Sequence, residues 1–274
     1  DKNLLSTSFL IDNCNYAYEA WDNTPWGKVN ESLFLEYVLP FSSLNERRDN
    51  WRQDFYERFF PIVKNAKSAY EAAAILNNNI FEMVGVIYST KRPKADQSPY
   101  ESIEAGLASC TGLSFMLIDA CRSVGIPARF VGTPMWYNNS GNHSWVEIWD
   151  NGWHFTGAFE PTDDRLNEGW FASLAARAVE GHPEYGIYAA TWKKTGIFFP
   201  MDWKPGVEKY YAYDVTSSYQ KYLDDNFVSL RIKVVGKNGM RKKVLVNVKA
   251  DNGFSFSGYS KDERNDANDH LTLN

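Results

Sequence analysis

Apolar residues recur at helical spacing through the first third of this chain, and they alternate through much of the remainder. Residues 46–56 are charged and aromatic and read as helix. Residues 65–80 repeat their apolar positions at three and four, through Ala72-Ala73-Ala74, and predict another. A polar loop over 89–99 carries the breakers Pro93 and Pro99. The strongest helix comes next, over 111–124, with Leu113, Met116, Leu117, Ala120, Cys121 and Val124 on one stripe and Gly125 and Pro127 as its stop. Strands are expected at 128–132, 143–149 and 153–156. Asp150-Asn151-Gly152 turns the last two into a hairpin. Residues 166–180 look helical again. From about residue 228 the chain alternates, with 230–235 and 243–249 flanking Lys237-Asn238-Gly239, as a small antiparallel β module would. Residues 261–270 are polar and unpatterned, as at a frayed edge. There is no internal repeat. The organisation expected is a helical region over 1–75, a mixed core over 76–210 and a β module over 222–274.

Composition narrows the partners. The net charge of −5 gives no electrostatic case for nucleic acid or a membrane surface. No run approaches the roughly 18 apolar residues of a membrane helix. Aromatic residues make up 16% of the chain, enough for a bulky core and also for platforms that stack on sugars or extended peptides. The sequence opens with Asp1-Lys2-Asn3 rather than Met, which fits either a removed leader or a start inside a longer sequence. Export to a periplasmic, surface-attached or extracellular site is the corresponding expectation. Cys14, Cys110 and Cys121 are too few and too irregularly spaced for a disulfide framework or a zinc site. With no phosphate loop or calcium loop either, neither a metal nor an organic cofactor is expected.

Cys110 opens the strongest helix, in Ser109-Cys110-Thr111-Gly112. A thiol there meets the positive end of the helix dipole and unpaired backbone N–H groups, both of which favour the nucleophilic thiolate. Its own N–H also suits half of an oxyanion hole. Cys121 falls on the apolar stripe and reads as core. A thiol nucleophile needs a base. Among four histidines His143 is the candidate, because it starts a strand after the Asn/Gly-rich loop 138–142. His154 sits on the partner strand, and His182 and His270 look like loop residues.

Cys110-Thr111-Gly112, then Gly125-Ile126-Pro127-Ala128-Arg129, then His143-Ser144-Trp145-Val146-Glu147 and Gly152-Trp153, together resemble the transglutaminase-like superfamily over roughly residues 74–178. The resemblance implies an α+β fold of papain-like type, with the cysteine helix packed on an antiparallel sheet that bears the histidine. It also implies an Asp about four residues after the Trp of the second strand, where this chain has Gly157. The first carboxylate after that is Glu160. If Asn151-Gly152 is a two-residue turn, His143 faces Glu160 directly. If the loop takes all three residues, Glu160 points to the other face unless a bulge intervenes. Glu160 is the favoured orienting acid, with Asp163 in reserve.

Gln97 and Tyr100 lie upstream of the cysteine, where papain-like sites draw a second oxyanion donor. Trp136 and Tyr137 precede His143 as a candidate substrate wall, while Trp145 and Glu147 look like scaffold. The expected activity is that of a thiol-dependent amide-bond hydrolase or acyltransferase, peptidase or amidase in preference to cross-linking enzyme. Its substrate would be a peptide, protein or glycopeptide. The alternative is a degenerate domain that binds polysaccharide or peptide without catalysis.

Overall fold

The computed structural model describes residues 5–223, 230–251, 253, 255–262 and 270–273. Helices α1 (Thr7–Asn23), α2 (Glu31–Tyr37), α3 (Arg52–Val63) and α4 (Ala69–Val84) open the chain. Ser6, Asn30 and Ser68 cap three of these, each side chain accepting a backbone N–H of the first turn. α3 starts at Arg52 rather than 46. The Glu46 carboxylate turns inward and accepts from the Ser43 and Leu44 amides at 2.5 and 2.8 Å, which holds the preceding segment as a buried loop. Strand β1 (Ile87–Tyr88) runs parallel to β2 (Leu107–Ala108), and α5 (Pro99–Ala105) lies between them. The sequence reading has no helix here. Ser98 and Glu101 close a reciprocal capping box with Pro99 in the first turn, a local signal that overrides the polar composition.

The central element is α6 (Cys110–Ser123), in which every residue from Thr111 onward is buried. It packs on an antiparallel five-stranded sheet of β3 (Ala128–Thr133), β4 (His143–Trp149), β5 (Trp153–Thr156), β6 (Tyr188–Thr191) and β7 (Tyr211–Asp214), in the order β5-β4-β3-β6-β7. Alternation along β4 splits the interior into two cores. Val146 and Ile148 join the helices, with Phe115, Leu117 and Phe130. On the other face Trp145 meets Trp136, Phe155, Phe171 and Tyr219. The fold is the expected α+β arrangement, a cysteine helix on an antiparallel sheet. Gly125 makes the turn into β3 at φ +84°, where the backbone of Ala20 also approaches closely.

Several boundaries differ from expectation. α4 runs unbroken across 75 and 76, and β7, an edge strand of the sheet, lies past 210. Of the helix expected over 166–180 only α7 (Ala172–Ala175) forms, because Phe171 and Leu174 turn into the second core. In the C-terminal region β8 (Leu230–Ile232) pairs with β11 (Leu271–Leu273), and β9 (Leu245–Lys249) with β10 (Ser255–Tyr259). The segment around 237–239 closes only one isolated bridge, Val235 to Arg241. Residues 263–269, within the stretch read as a frayed edge, lie outside the described residues. Among the described residues no helix is long and apolar enough to cross a membrane.

Candidate active site

Cys110 occupies the first turn of α6, directly after the cap. Ser109 accepts from the Gly112 amide at 3.0 Å and donates to the Ala95 carbonyl at 2.5 Å, which ties the start of the helix to the preceding loop. Cys110 is partly exposed, Cys121 is buried and Cys14 is exposed, all three as free thiols. Burial alone would push the Cys110 thiol up. The His143 imidazole and the Ser144 backbone N–H beside it offset that penalty, and the net effect is a thiol held below its ordinary value. Cys121 has no such partners, and burial pushes it well up.

His143 begins β4 on the same face as Trp145, at the end of the sheet that meets α6. The Thr111 and Ser144 hydroxyls, 3.2 Å apart, tie the two elements together at that point. The imidazole is buried among aromatics, with the rings of Trp170 and Phe171 each centred 4.9 Å from its own. Burial disfavours the imidazolium. The Glu160 carboxylate and the Cys110 thiol outweigh that penalty and raise His143 to about 9.

Glu160 is brought to His143, although not by strand register. The β4–β5 hairpin pairs Trp149 with Trp153 and Val146 with Thr156, so all three of Asp150, Asn151 and Gly152 form the loop. That register alone would send Glu160 to the other face. β5 instead ends at Thr156, and the chain turns back on itself. The Glu160 amide bonds the Gly157 carbonyl at 3.1 Å, and Phe159 takes a left-handed φ of 64°. The carboxylate then lies 3.5 Å from His143 Nε2, a longer ion pair than a hydrogen bond, and accepts from Trp170 Nε1 at 2.8 Å. Asp163, the reserve acid, sits at a left-handed position farther along the loop, where its carbonyl serves Asn78, and it has no contact with the imidazole.

Two residues outside the motif hold this turn. Asn77 on α4 is buried; its amide donates to the Thr156 hydroxyl and the Gly157 carbonyl and accepts from the Phe159 amide, each at 2.9 Å. Trp170 fixes the carboxylate from the far side. Neither was legible as a site residue. Asn77 lies eighty residues away in sequence, and Trp170 falls in a stretch whose pattern reads as helix.

The remaining candidates separate. Trp136 lines the cleft and stacks against Trp145 with ring centroids 6.1 Å apart. Tyr137 beside it is exposed and lies outside the cleft lining. Gln97 is not positioned as an oxyanion donor. Its side-chain amide donates to the Glu101 and Leu107 carbonyls and braces α5. Tyr100 bonds Asp54 and Asn50 on α3 and its approach. The tyrosine that does line the cleft is Tyr88. Glu147 and Trp145 are scaffold: Glu147 binds Arg129 across the sheet at 2.6 Å, and the Tyr219 hydroxyl bridges it to the Trp145 indole.

Cys110, Asn142 and His143 border two adjoining cavities, of about 280 and 580 Å³, which together form an open cleft over the thiol. This is a thiol–imidazole–carboxylate arrangement in a papain-like fold. Residues 58–158 match the family model of the transglutaminase-like superfamily, and the chain carries a domain of that superfamily. A solved structure described as a "putative cysteine protease", from Cytophaga hutchinsonii, aligns at 17% identity with a TM-score of 0.37. The alignment covers 48% of this chain and 43% of that one. No curated protein matches the chain.

Removing the Trp170 indole N–H while keeping an aromatic ring isolates its hydrogen bond. Trp170→Phe is expected to slow Cys110 alkylation at pH 6 by about tenfold, since a hydrogen bond to a charged group contributes about 1.5–3 kcal/mol. Mass-spectrometric rates together with an unchanged circular dichroism spectrum check this.

Proposed function

We propose that the protein is a thiol-dependent amide-bond hydrolase, in which Cys110 is the nucleophile, His143 the acid–base and Glu160 the group that orients the imidazole. The observation that carries this reading is the Glu160 carboxylate 3.5 Å from His143 Nε2, with His143 and Cys110 lining one cleft. The downward shift of the thiol and the upward shift of the imidazole both favour a thiolate–imidazolium pair.

The Cys110 thiolate attacks the amide carbon, and the carbonyl π electrons move to oxygen. The N–H of Cys110, in the first turn of α6 where amides have no intrahelical partner, faces the developing oxyanion. As the tetrahedral intermediate collapses, the C–N bond breaks and the His143 imidazolium gives its proton to the leaving amine. A thioester remains, with a neutral imidazole. His143 then takes a proton from water as the oxygen attacks the thioester. The C–S bond breaks, releasing a carboxylic acid and restoring the ion pair. An amine in place of water would give acyl transfer. The open cleft admits water, which favours hydrolysis.

The binding-module alternative draws its support from the glycine at 157. The presence of Glu160 beside the imidazole weakens that support.

The sign of the pH dependence is set by the two shifts. The ion pair is lost on the acid side when the lowered Cys110 gains a proton, and on the alkaline side when His143 loses one near pH 9. Alkylation of Cys110, mapped by mass spectrometry, should therefore persist to lower pH in the parent than in His143→Ala. His143→Ala should cut the Cys110 rate at pH 6 by roughly a hundredfold, because an unassisted thiol is then mostly protonated. An ordinary titration at Cys110 that ignores the His143 substitution would end the proposal.

A further inference from the structure

The smaller half of the cleft holds two opposite charges that do not pair with each other. Arg92 and Asp202 both line it, together with Cys110 and His143. Arg92 is half-buried and donates to the Ser89 carbonyl at 3.4 Å, a long bond. Asp202 is more exposed and accepts from the Asn142 amide, also at 3.4 Å. Partial cover pushes the Asp202 carboxyl up and the Asn142 bond pulls it down. The Glu184 charge pushes it up again, and no cation balances it. Among the described residues neither Arg92 nor Asp202 forms an ion pair. The same cavity has apolar walls in Phe199, Pro200 and Trp203, whose indole N–H is already taken by Asn45 at 3.2 Å. Its volume of about 280 Å³ lies below the roughly 300–1,000 Å³ of ordinary ligand pockets and suits one residue of a substrate.

We infer that this half of the cleft is a subsite for the zwitterionic end of an amino acid, with its ammonium against Asp202 and its carboxylate against Arg92. The inference rests on the amide-hydrolase reading above and names its substrate class. A residue inside a peptide has its α-amine and α-carboxyl tied up in peptide bonds. Within one residue both are free only when the scissile amide is made through the side chain. In such a substrate methylene groups join the charged end to the amide, and apolar walls suit that stem. The planar guanidinium matches a carboxylate, while an ammonium is a compact charge that a carboxylate accepts from many directions.

Occupancy of the subsite is read in the intact chain as protection of Cys110 from iodoacetamide. L-glutamine carries both charges and a side-chain amide. N-acetyl-L-glutamine lacks the ammonium, and L-glutamine α-amide lacks the carboxylate. At pH 7 and low ionic strength, L-glutamine is expected to half-protect Cys110 at about three- to fivefold lower concentration than either derivative, the upper part of what ion pairs open to solvent give. Each rate is taken relative to the same variant without ligand. Asp202→Asn should erase the advantage over N-acetyl-L-glutamine and keep the advantage over the α-amide. Arg92→Gln should do the reverse. This crossed pattern is one that general damage to the cleft does not produce. Equal protection by the three compounds, no protection by any, or advantages unmoved by both substitutions or lost together in either variant overturns the subsite. Loss of the amide-hydrolase reading shows separately, as an ordinary pH titration of the ligand-free iodoacetamide rate.

Discussion

A single methyl group at Gly157 is expected to lower amide turnover by roughly two to three orders of magnitude, part of the roughly four that the orienting acid supplies in serine triads. A Cβ built there falls closer to Glu160 Oε2 than nonbonded atoms approach, with Glu160 Cβ and Cδ each at 3.0 Å. That oxygen is the one facing His143 and Trp170. The carboxylate thus fills the space where a side chain at 157 would begin, so the glycine and the glutamate are two halves of one arrangement. Gly157→Ala should behave like Glu160→Gln in kcat/KM and in the acid limb of Cys110 alkylation. The double variant should be no worse than either single one, because both remove the same contact. Moving the carboxylate back, as Gly157→Asp/Glu160→Ala, should recover at least tenfold over Glu160→Ala. Thermal melting separates these effects from misfolding. Gly157→Ala within threefold of the parent, with an unchanged melting temperature, would show that Glu160 does not orient the imidazole.

The distance between the sequence reading and the structure is instructive at this turn. Cys110 and His143 were legible because each marks the start of a regular element, a helix and a strand whose apolar periods are strong. Helix α4 and the β4–β5 hairpin were legible for the same reason, as was the placing of Trp145 and Glu147 in the scaffold. Glu160 was selected through a register that does not occur, and the fold brings its carboxylate beside His143 by another route. A two-residue loop would bring it opposite His143 by pairing, whereas the actual three-residue loop requires the reversal at Gly157. That reversal is built from a left-handed Phe159 and from the Asn77 amide, and neither has a periodic signature. Gln97 shows the opposite failure. It lies in the right segment of chain, but nothing local reveals that its amide is already engaged by the Glu101 and Leu107 carbonyls. Trp170, Arg231 and His270 could not be grouped from sequence, because only the fold brings the C-terminal segments to the cleft.

The dependence of the site on a distant helix leads to the second large effect. Asn77→Leu keeps the approximate size of a fully packed side chain but strips three hydrogen bonds at once. The Gly157 carbonyl, the Thr156 hydroxyl and the Phe159 amide are left without it in a buried setting. Unsatisfied buried groups cost about 1–3 kcal/mol each, with partial relaxation expected for groups in a turn. A loss of about 3–5 kcal/mol is therefore expected, read as a fall of roughly 6–20 °C in melting temperature for a domain of this size. Stability alone would not distinguish Asn77 from any other buried amide. The distinguishing readout is Cys110 alkylation and amide turnover measured well below the new melting point. If Asn77 positions the turn, Glu160 moves away from His143, the acid limb of Cys110 shifts upward in pH, and kcat falls toward the level of Glu160→Gln. If the protein melts earlier but keeps the parent pH profile and turnover, Asn77 supports the fold only, and the Glu160 turn is held by Trp170 and its own backbone hydrogen bond.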